Sequence, residues 1–207
     1  MTALPAGRDR AAAPRAAWAR PLLTTLTIVI LVVLGTAGSY GAYCGVIILK
    51  GNFHAVQGGV LYRSAQLSRG ELDGFGRRYG IKSVLNLRGA HPGDGWYDGE
   101  MAATRDLGIA HYDYPIAAKR FVTPQQVAQI LAIVRQAPKP LLVHCLSGAD
   151  RSGLVAALYD YAIAGQDAAT ADRQLSLAYG HFPYLTSRSR AMDESFWAFV
   201  GGSATHN

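Results

Sequence analysis

Cysteine is scarce: 207 residues contain two, Cys44 and Cys145. Two thiols cannot build the disulfide framework of a stapled secreted scaffold. The fold must therefore rest on a hydrophobic core, for which the chain is long enough. Charge is missing altogether from Pro21 to Leu49. An apolar run of that length covers a bilayer core, which takes about 20 helical residues. A leader cleaved after the small residues Gly35–Gly38 fits less well, because apolar character resumes at Val46–Leu49. The stretch Gly41–Cys44 is a poor lipoprotein box, since a tyrosine precedes the cysteine. Internal repeats are absent. So is any basic stripe interleaved with aromatics, and no nucleic-acid partner is expected. The net charge of +6 does not restore one, because much of the excess flanks the apolar run. Arg8, Arg10, Arg15 and Arg20 stand against Asp9 before it and Lys50 follows it, whereas residues 51–207 hold 15 basic and 13 acidic side chains. Arginines beside a span stay on the cytoplasmic side. The expectation is a single-pass inner-membrane protein with its C-terminal domain extracytoplasmic.

The chain divides by composition into a basic disordered tail (1–21), a transmembrane helix (22–49), a linker (50–59), a globular domain (60–199) and a disordered tail (200–207). Within the domain, strand and helix signals alternate. Strands are predicted over 60–67, 81–88, 110–116 and 141–145. A helix follows Ser68 and closes at Gly80, and a shorter one ends near Gly108. Thr123 caps another, with Pro124 at its first position and Val127, Ile130, Leu131 and Val134 on one face. Further helices are predicted over 152–164 and 167–179, and one near the C-terminus. Such alternation implies an α/β domain, a mostly parallel central sheet flanked by helices.

The chemistry concentrates in "HCLSGADRS", where the apolar strand 141–145 runs into a helix. Amides at a helix start lack intrahelical partners and point at whatever faces them, and a tight loop there forms a nest for an anion. The same field would stabilise a thiolate at Cys145. Arg151 carries a planar fork able to grip two phosphoryl oxygens. Gly148 lets the backbone turn close to a ligand, and Ser152 can hydrogen-bond the thiolate. These parts suit covalent phosphoryl transfer, with Cys145 attacking phosphorus and water releasing the product. No metal-ligand cluster or cofactor motif is evident.

His144-Cys145, then Arg151-Ser152, resembles the signature loop of the protein tyrosine phosphatase superfamily. Residues 59–68 and 83–89 resemble the opening strands of its small dual-specificity-like bacterial branch. The resemblance covers about Phe53 to Tyr179. It implies a Cys nucleophile at Cys145, a phosphate clamp at Arg151, phosphate held by the loop amides of Leu146, Ser147, Gly148, Ala149 and the residues to Ser152, and no metal. Members usually carry an acidic proton donor on a separate loop, but the corresponding stretch 114–124 contains neither Asp nor Glu. Asp150, inside the signature loop, is the expected donor, with Asp94 and Asp98 as alternatives. Arg88 is expected at the pocket edge, as a substrate-binding residue or a surface charge. Trp96, Tyr97 and Tyr112 are candidate pocket walls or core, and His91, His111 and His181 are expected to be structural or exposed. Because no variable loop position is basic, the expected partner is a phosphorylated protein, above all phosphotyrosine. A phosphoinositide or other small phosphomonoester is the alternative, with Lys119, Arg120 and Arg88 supplying charge. A rhodanese-like sulfurtransferase and a non-catalytic phosphate-binding module are the competing classes.

Overall fold

The structure is a computed structural model in which residues 19–204 are described. Residues 1–18 and 205–207, which fall in the two tails expected to be disordered, lie outside that range. The chain divides into two units between Tyr43 and Cys44.

The first consists, among the described residues, of most of helix α1 (Ala19–Leu49). From Pro21 to Leu49 it is apolar and long enough to cross a bilayer. The hydroxyls of Thr25, Thr27 and Ser39 each donate to the carbonyl four residues back.

The second unit is built on a five-stranded sheet in the order β1-β2-β5-β3-β4. Strands β2 (Leu61–Ser64), β3 (Ser83–Asn86), β4 (Ala110–Asp113) and β5 (Leu141–His144) run parallel, and β1 (His54–Gln57) pairs antiparallel on the edge. Alternate residues of the inner strands feed two cores. Leu61, Leu85, Leu141 and Val143 pack with α4 (Pro124–Gln136), α5 (Asp150–Ala162) and α7 (Arg190–Ala204). Tyr62, Val84 and Leu142 face the opposite way, with Leu72 of α2 (Arg69–Tyr79) and Ala103 of α3 (Gly95–Leu107). Burial on both faces explains why Leu141–Val143 of β5 form an unbroken apolar run.

Local sequence sets the helix ends. Ser68 with Glu71, and Thr123 with Gln126, form reciprocal capping boxes, and Gly80 closes α2 in the left-handed region. Three expectations need correction. The segment 50–59 is no linker: it contains β1, and Asn52 is 2% exposed. The helix predicted over 167–179 is broken into α6 (Ala168–Asp172) and a single 3₁₀ turn, Leu177–Tyr179. The C-terminal helix continues to Ala204, past the expected boundary at 199.

Register aligns Ser64, His144 and Asn86 across the carboxyl edge of β2, β5 and β3. Ligands of open α/β sheets bind outside that edge.

Candidate active site

β5 ends at His144 and α5 begins at Asp150, so the intervening loop must turn within five residues. Gly148 makes the turn, at φ +74°. A Cβ there would meet Ala65 N at 2.6 Å and Ser64 C at 2.7 Å, backbone atoms that cannot step aside. The loop carbonyls are tied from outside. Leu146 O accepts from Gln66 N at 3.1 Å and Ser147 O from Asn52 Nδ2 at 2.8 Å. Gly148 O and Ala149 O both accept from Arg63 Nη2, at 2.7 and 3.0 Å. Four consecutive carbonyls turned outward leave the loop amides on its concave side, at the start of α5, where an anion is favoured. Ala149 N is partly diverted, donating to Ser147 Oγ at 3.4 Å.

Arg63 is the largest fully buried side chain. It also donates to Gln174 O at 2.6 Å and lies 4.1 Å from the Tyr179 ring centroid. Burial pulls its pKa down to about 10, partly opposed by Tyr179 and Cys145. It remains a cation beneath the loop.

Cys145 is 1% exposed, directly after the carboxyl end of β5. Arg151, the second residue of α5, spends Nη1 on the carbonyls of Leu87 and Ile116, at 3.1 and 3.3 Å. Its Nε is buried without a partner. With Nη1 engaged, the Nε–Nη2 edge is the one presented for a two-oxygen grip. Ser152 Oγ donates to Ser64 O over a long 3.4 Å and stands at the base of the loop.

Behind the cysteine lies an acidic hub that the sequence did not reveal. Glu100 of α3, 2% exposed, takes His144 Nε2 at 3.1 Å and His111 Nε2 at 2.7 Å on Oε1, and Gln66 Nε2 at 2.7 Å on Oε2. Burial opposes its ionisation, but the hydrogen bonds from His111 and His144 outweigh it and hold the carboxyl far below the usual range. Gln66 in turn accepts Arg88 Nη1 at 3.0 Å, and the Arg88 guanidinium lies 3.5 Å from the Trp96 ring centroid. Burial and the neighbouring Arg151 lower the pKa of Arg88. Arg88 is therefore a cation held on an aromatic plane. Tyr97 is buried and donates to Asp113, and Tyr112 packs against the larger core.

The three candidate proton donors part company. Asp150 Oδ1 accepts from His181 Nδ1 at 2.7 Å, and His181 Nε2 donates to Asp193 at 2.9 Å. Asp94 occupies the N-cap position of α3 without a side-chain capping bond, accepts from Trp96 Nε1 at 3.1 Å, and acts electrostatically on Arg88. Asp98 accepts from Gly93 N at 3.2 Å. Among the described residues, no group of His, Cys, Asp and Glu is arranged to hold a metal ion.

Arg63, Asn52, Gln66 and Glu100 were missed as site-building residues. One signal was available for Arg63: a charged residue in the middle of a strand-like run needs an internal partner.

A family model described as "DSP-PTPase phosphatase fused to NAD+ Kinase" matches residues 52–193. Among solved structures, TpbA of P. aeruginosa aligns with a TM-score of 0.53 at 22% identity, covering 73% of this chain and 92% of that one. TpbA in complex with pTyr aligns at 0.52 and 22%, covering 73% and 91%. The core catalytic domain of the PP-IP phosphatase SIW14 from S. cerevisiae, in complex with citrate, aligns at 0.53 and 20%, covering 74% and 93%. At these identities the structural likeness is one of fold. Curated proteins give no sequence match.

Proposed function

The chain belongs to the DSP-PTPase family whose model spans its residues 52–193, and we propose that its activity runs through Cys145 and Arg151. It is a cysteine-based phosphatase, a hydrolase of phosphate monoesters of the protein-tyrosine-phosphatase kind. In this reading the Cys145 thiolate attacks phosphorus in line. The S–P bond forms as the bond to the leaving oxygen breaks, and that oxygen takes a proton. Water then attacks the cysteinyl phosphate, returning thiolate and inorganic phosphate. The amides of Leu146 to Ser152 and the Nε–Nη2 edge of Arg151 hold the equatorial oxygens. The observation that carries the assignment is the buried, unpartnered Arg151 Nε beside the signature loop. A buried donor left open is costly unless a ligand satisfies it.

Asp150 is the proposed proton donor, placed directly before Arg151. A second reading has an observation of its own: His181 engages Asp150 Oδ1 at 2.7 Å, which makes Asp150 an ion-pair anchor and leaves donation to Asp94 on the Arg88–Trp96 rim. Turnover of phenyl phosphate, a poor leaving group, against p-nitrophenyl phosphate separates them. Asp150→Asn is expected to slow the former about 100-fold and the latter far less. If Asp94→Asn does so instead, the donor is Asp94.

The proposed substrate is a phosphotyrosine-bearing protein. Leu146, Ser147 and Ala149 bring no charge to the loop, and the Trp96 plane under Arg88 offers an aryl group a wall. The fold relative solved with pTyr supports this reading. The chain is further proposed to be anchored by residues 22–49 in the inner membrane, with the domain extracytoplasmic. A C-terminal reporter active only outside the cytoplasm tests that orientation. Hydrolysis of p-nitrophenyl phosphate and of a phosphotyrosyl peptide is expected to vanish in Cys145→Ser. Thiosulfate sulfur transfer without phosphatase activity would select the rhodanese class. Peptide binding without turnover would select the binding module.

A further inference from the structure

We propose that the sheet edge carrying the signature loop is a docking face for the bilayer, seated on the anionic lipid surface in which the chain's own apolar segment is embedded. This rests on the anchor reading of residues 22–49 and narrows the proposed substrate to phosphate groups displayed at the membrane surface.

The first observation is the absence of a spacer. Cys44–Leu49, the end of the apolar helix, belongs to the same unit as the domain. Gly51 N and Asn52 N donate to Ile48 O and Ile47 O, at 2.9 and 2.6 Å, and Gly51 O accepts Ala65 N at 2.8 Å. Asn52, at φ +41°, gives Nδ2 to Ser147 O in the signature loop and to Tyr179 O. A Cβ at Gly180 would stand 3.6 Å from Ile47 Cδ1, 3.7 Å from Cys44 Sγ and 3.8 Å from Ala149 Cβ. The last apolar turn and the signature loop thus share a neighbour. The apolar run therefore ends beside the signature loop, inside the same unit and with no intervening spacer.

The second observation is what that edge exposes. Leu185 is 85% exposed and held at φ +58°, a strained setting for a leucine. It shares a hollow with Phe121, Lys119, Arg188 and Arg190, where Glu194 is the single acid. Phe121 also borders the loop whose Ile116 carbonyl holds Arg151. Leu146, in the signature loop itself, is 59% exposed. Apolar side chains interleaved with cations suit the headgroup region, where the former enter the acyl boundary and the latter meet anionic lipid.

The test uses the full chain in nanodiscs, in a Cys44→Ala, Cys145→Ser background. Single cysteines at Leu185, Phe121, Lys82 and Val32 are spin-labelled, and collision with oxygen is compared with collision with a water-soluble nickel chelate. Lys82 lies at the opposite, amino edge of the sheet. In phosphatidylcholine containing phosphatidylglycerol, labels at 185 and 121 are expected to be shielded from nickel at least fivefold relative to 82 (about the size of an interfacial partition). The shielding should fall in pure phosphatidylcholine and in an Arg188→Glu, Arg190→Glu variant that retains p-nitrophenyl phosphate turnover in an otherwise native chain. Labels at 185 and 121 as accessible as 82, with 32 buried in lipid, would overturn the docking face while sparing the anchor. A water-exposed 32 would overturn both. Because the readout involves no catalysis, failure of the phosphatase reading is scored separately by p-nitrophenyl phosphate.

Discussion

A single Cβ decides whether the loop can exist. Gly148 sits at φ +74° with the Ser64–Ala65 peptide packed where its side chain would be. Gly148→Ala is therefore expected to destabilise the domain by about 2–4 kcal/mol, adding backbone strain to steric displacement. It should also cut kcat/KM for p-nitrophenyl phosphate at least tenfold (about 1.4 kcal/mol); wild-type kinetics and stability would show that the loop closes by another route. Arg63 acts one layer further out. It grips Gly148 O and Ala149 O while its Nη1 holds Gln174. Lysine keeps the charge but not the fork, so Arg63→Lys leaves buried carbonyls unsatisfied at about 1–3 kcal/mol. Loss of affinity for phosphate as competitive inhibitor, with α/β content intact, is the expected signature. The cysteine, glycine and arginine of the loop were legible because they are neighbours in sequence and each carries a local chemical demand. Arg63 and Glu100 were not, because their partners lie 85 and 44 residues away, and only the fold brings them together.

Elements were legible where their ends carry local chemistry. Ser68, Gly80 and Thr123 mark helix boundaries through bonds made within a few residues. The helix predicted over 167–179 failed for a tertiary reason. Gln174 O accepts from Arg63, so a carbonyl that a continuous helix would use internally is engaged elsewhere. β1 was hidden by its length, four residues whose pairing shifts between Ala55 and Gln57. The turn between α1 and β1 gives a prediction at this scale. Asn52 combines a left-handed backbone with two side-chain bonds. Asn52→Gly should remove only the bonds, at about 1–3 kcal/mol, and Asn52→Ala should add roughly 1 kcal/mol of backbone cost. Thermal unfolding of both variants checks the order, and an alanine variant as stable as the glycine one would refute it.

At the scale of the molecule, alternation of strands and helices gave the layered α/β design, since each element buries a face of its own period. What ties the C-terminal helix to the signature-loop helix was invisible, because a lone histidine has no sequence partner. His181, fully buried, bridges Asp150 at the start of α5 and Asp193 of α7, while Asp172 of α6 also faces it. Burial works to lower its pKa, but the bonds it donates to Asp150 and Asp193 prevail and raise it to about 9. The folded value exceeds the unfolded 6.5, so the protonated bridge stabilises the fold fully below pH 6.5. That contribution declines as pH rises and is gone above about 9. The shift sets a ceiling of about 3 kcal/mol. Thermal unfolding of the full chain and of His181→Gln, followed by near-ultraviolet circular dichroism at several pH values, should show the widest gap near pH 6. The gap should then narrow steadily through pH 9, as α7 loses its electrostatic hold on α5. A gap independent of pH across that window would mean that His181 is held by shape alone, and that the two aspartates contribute no charge pairing to the joint.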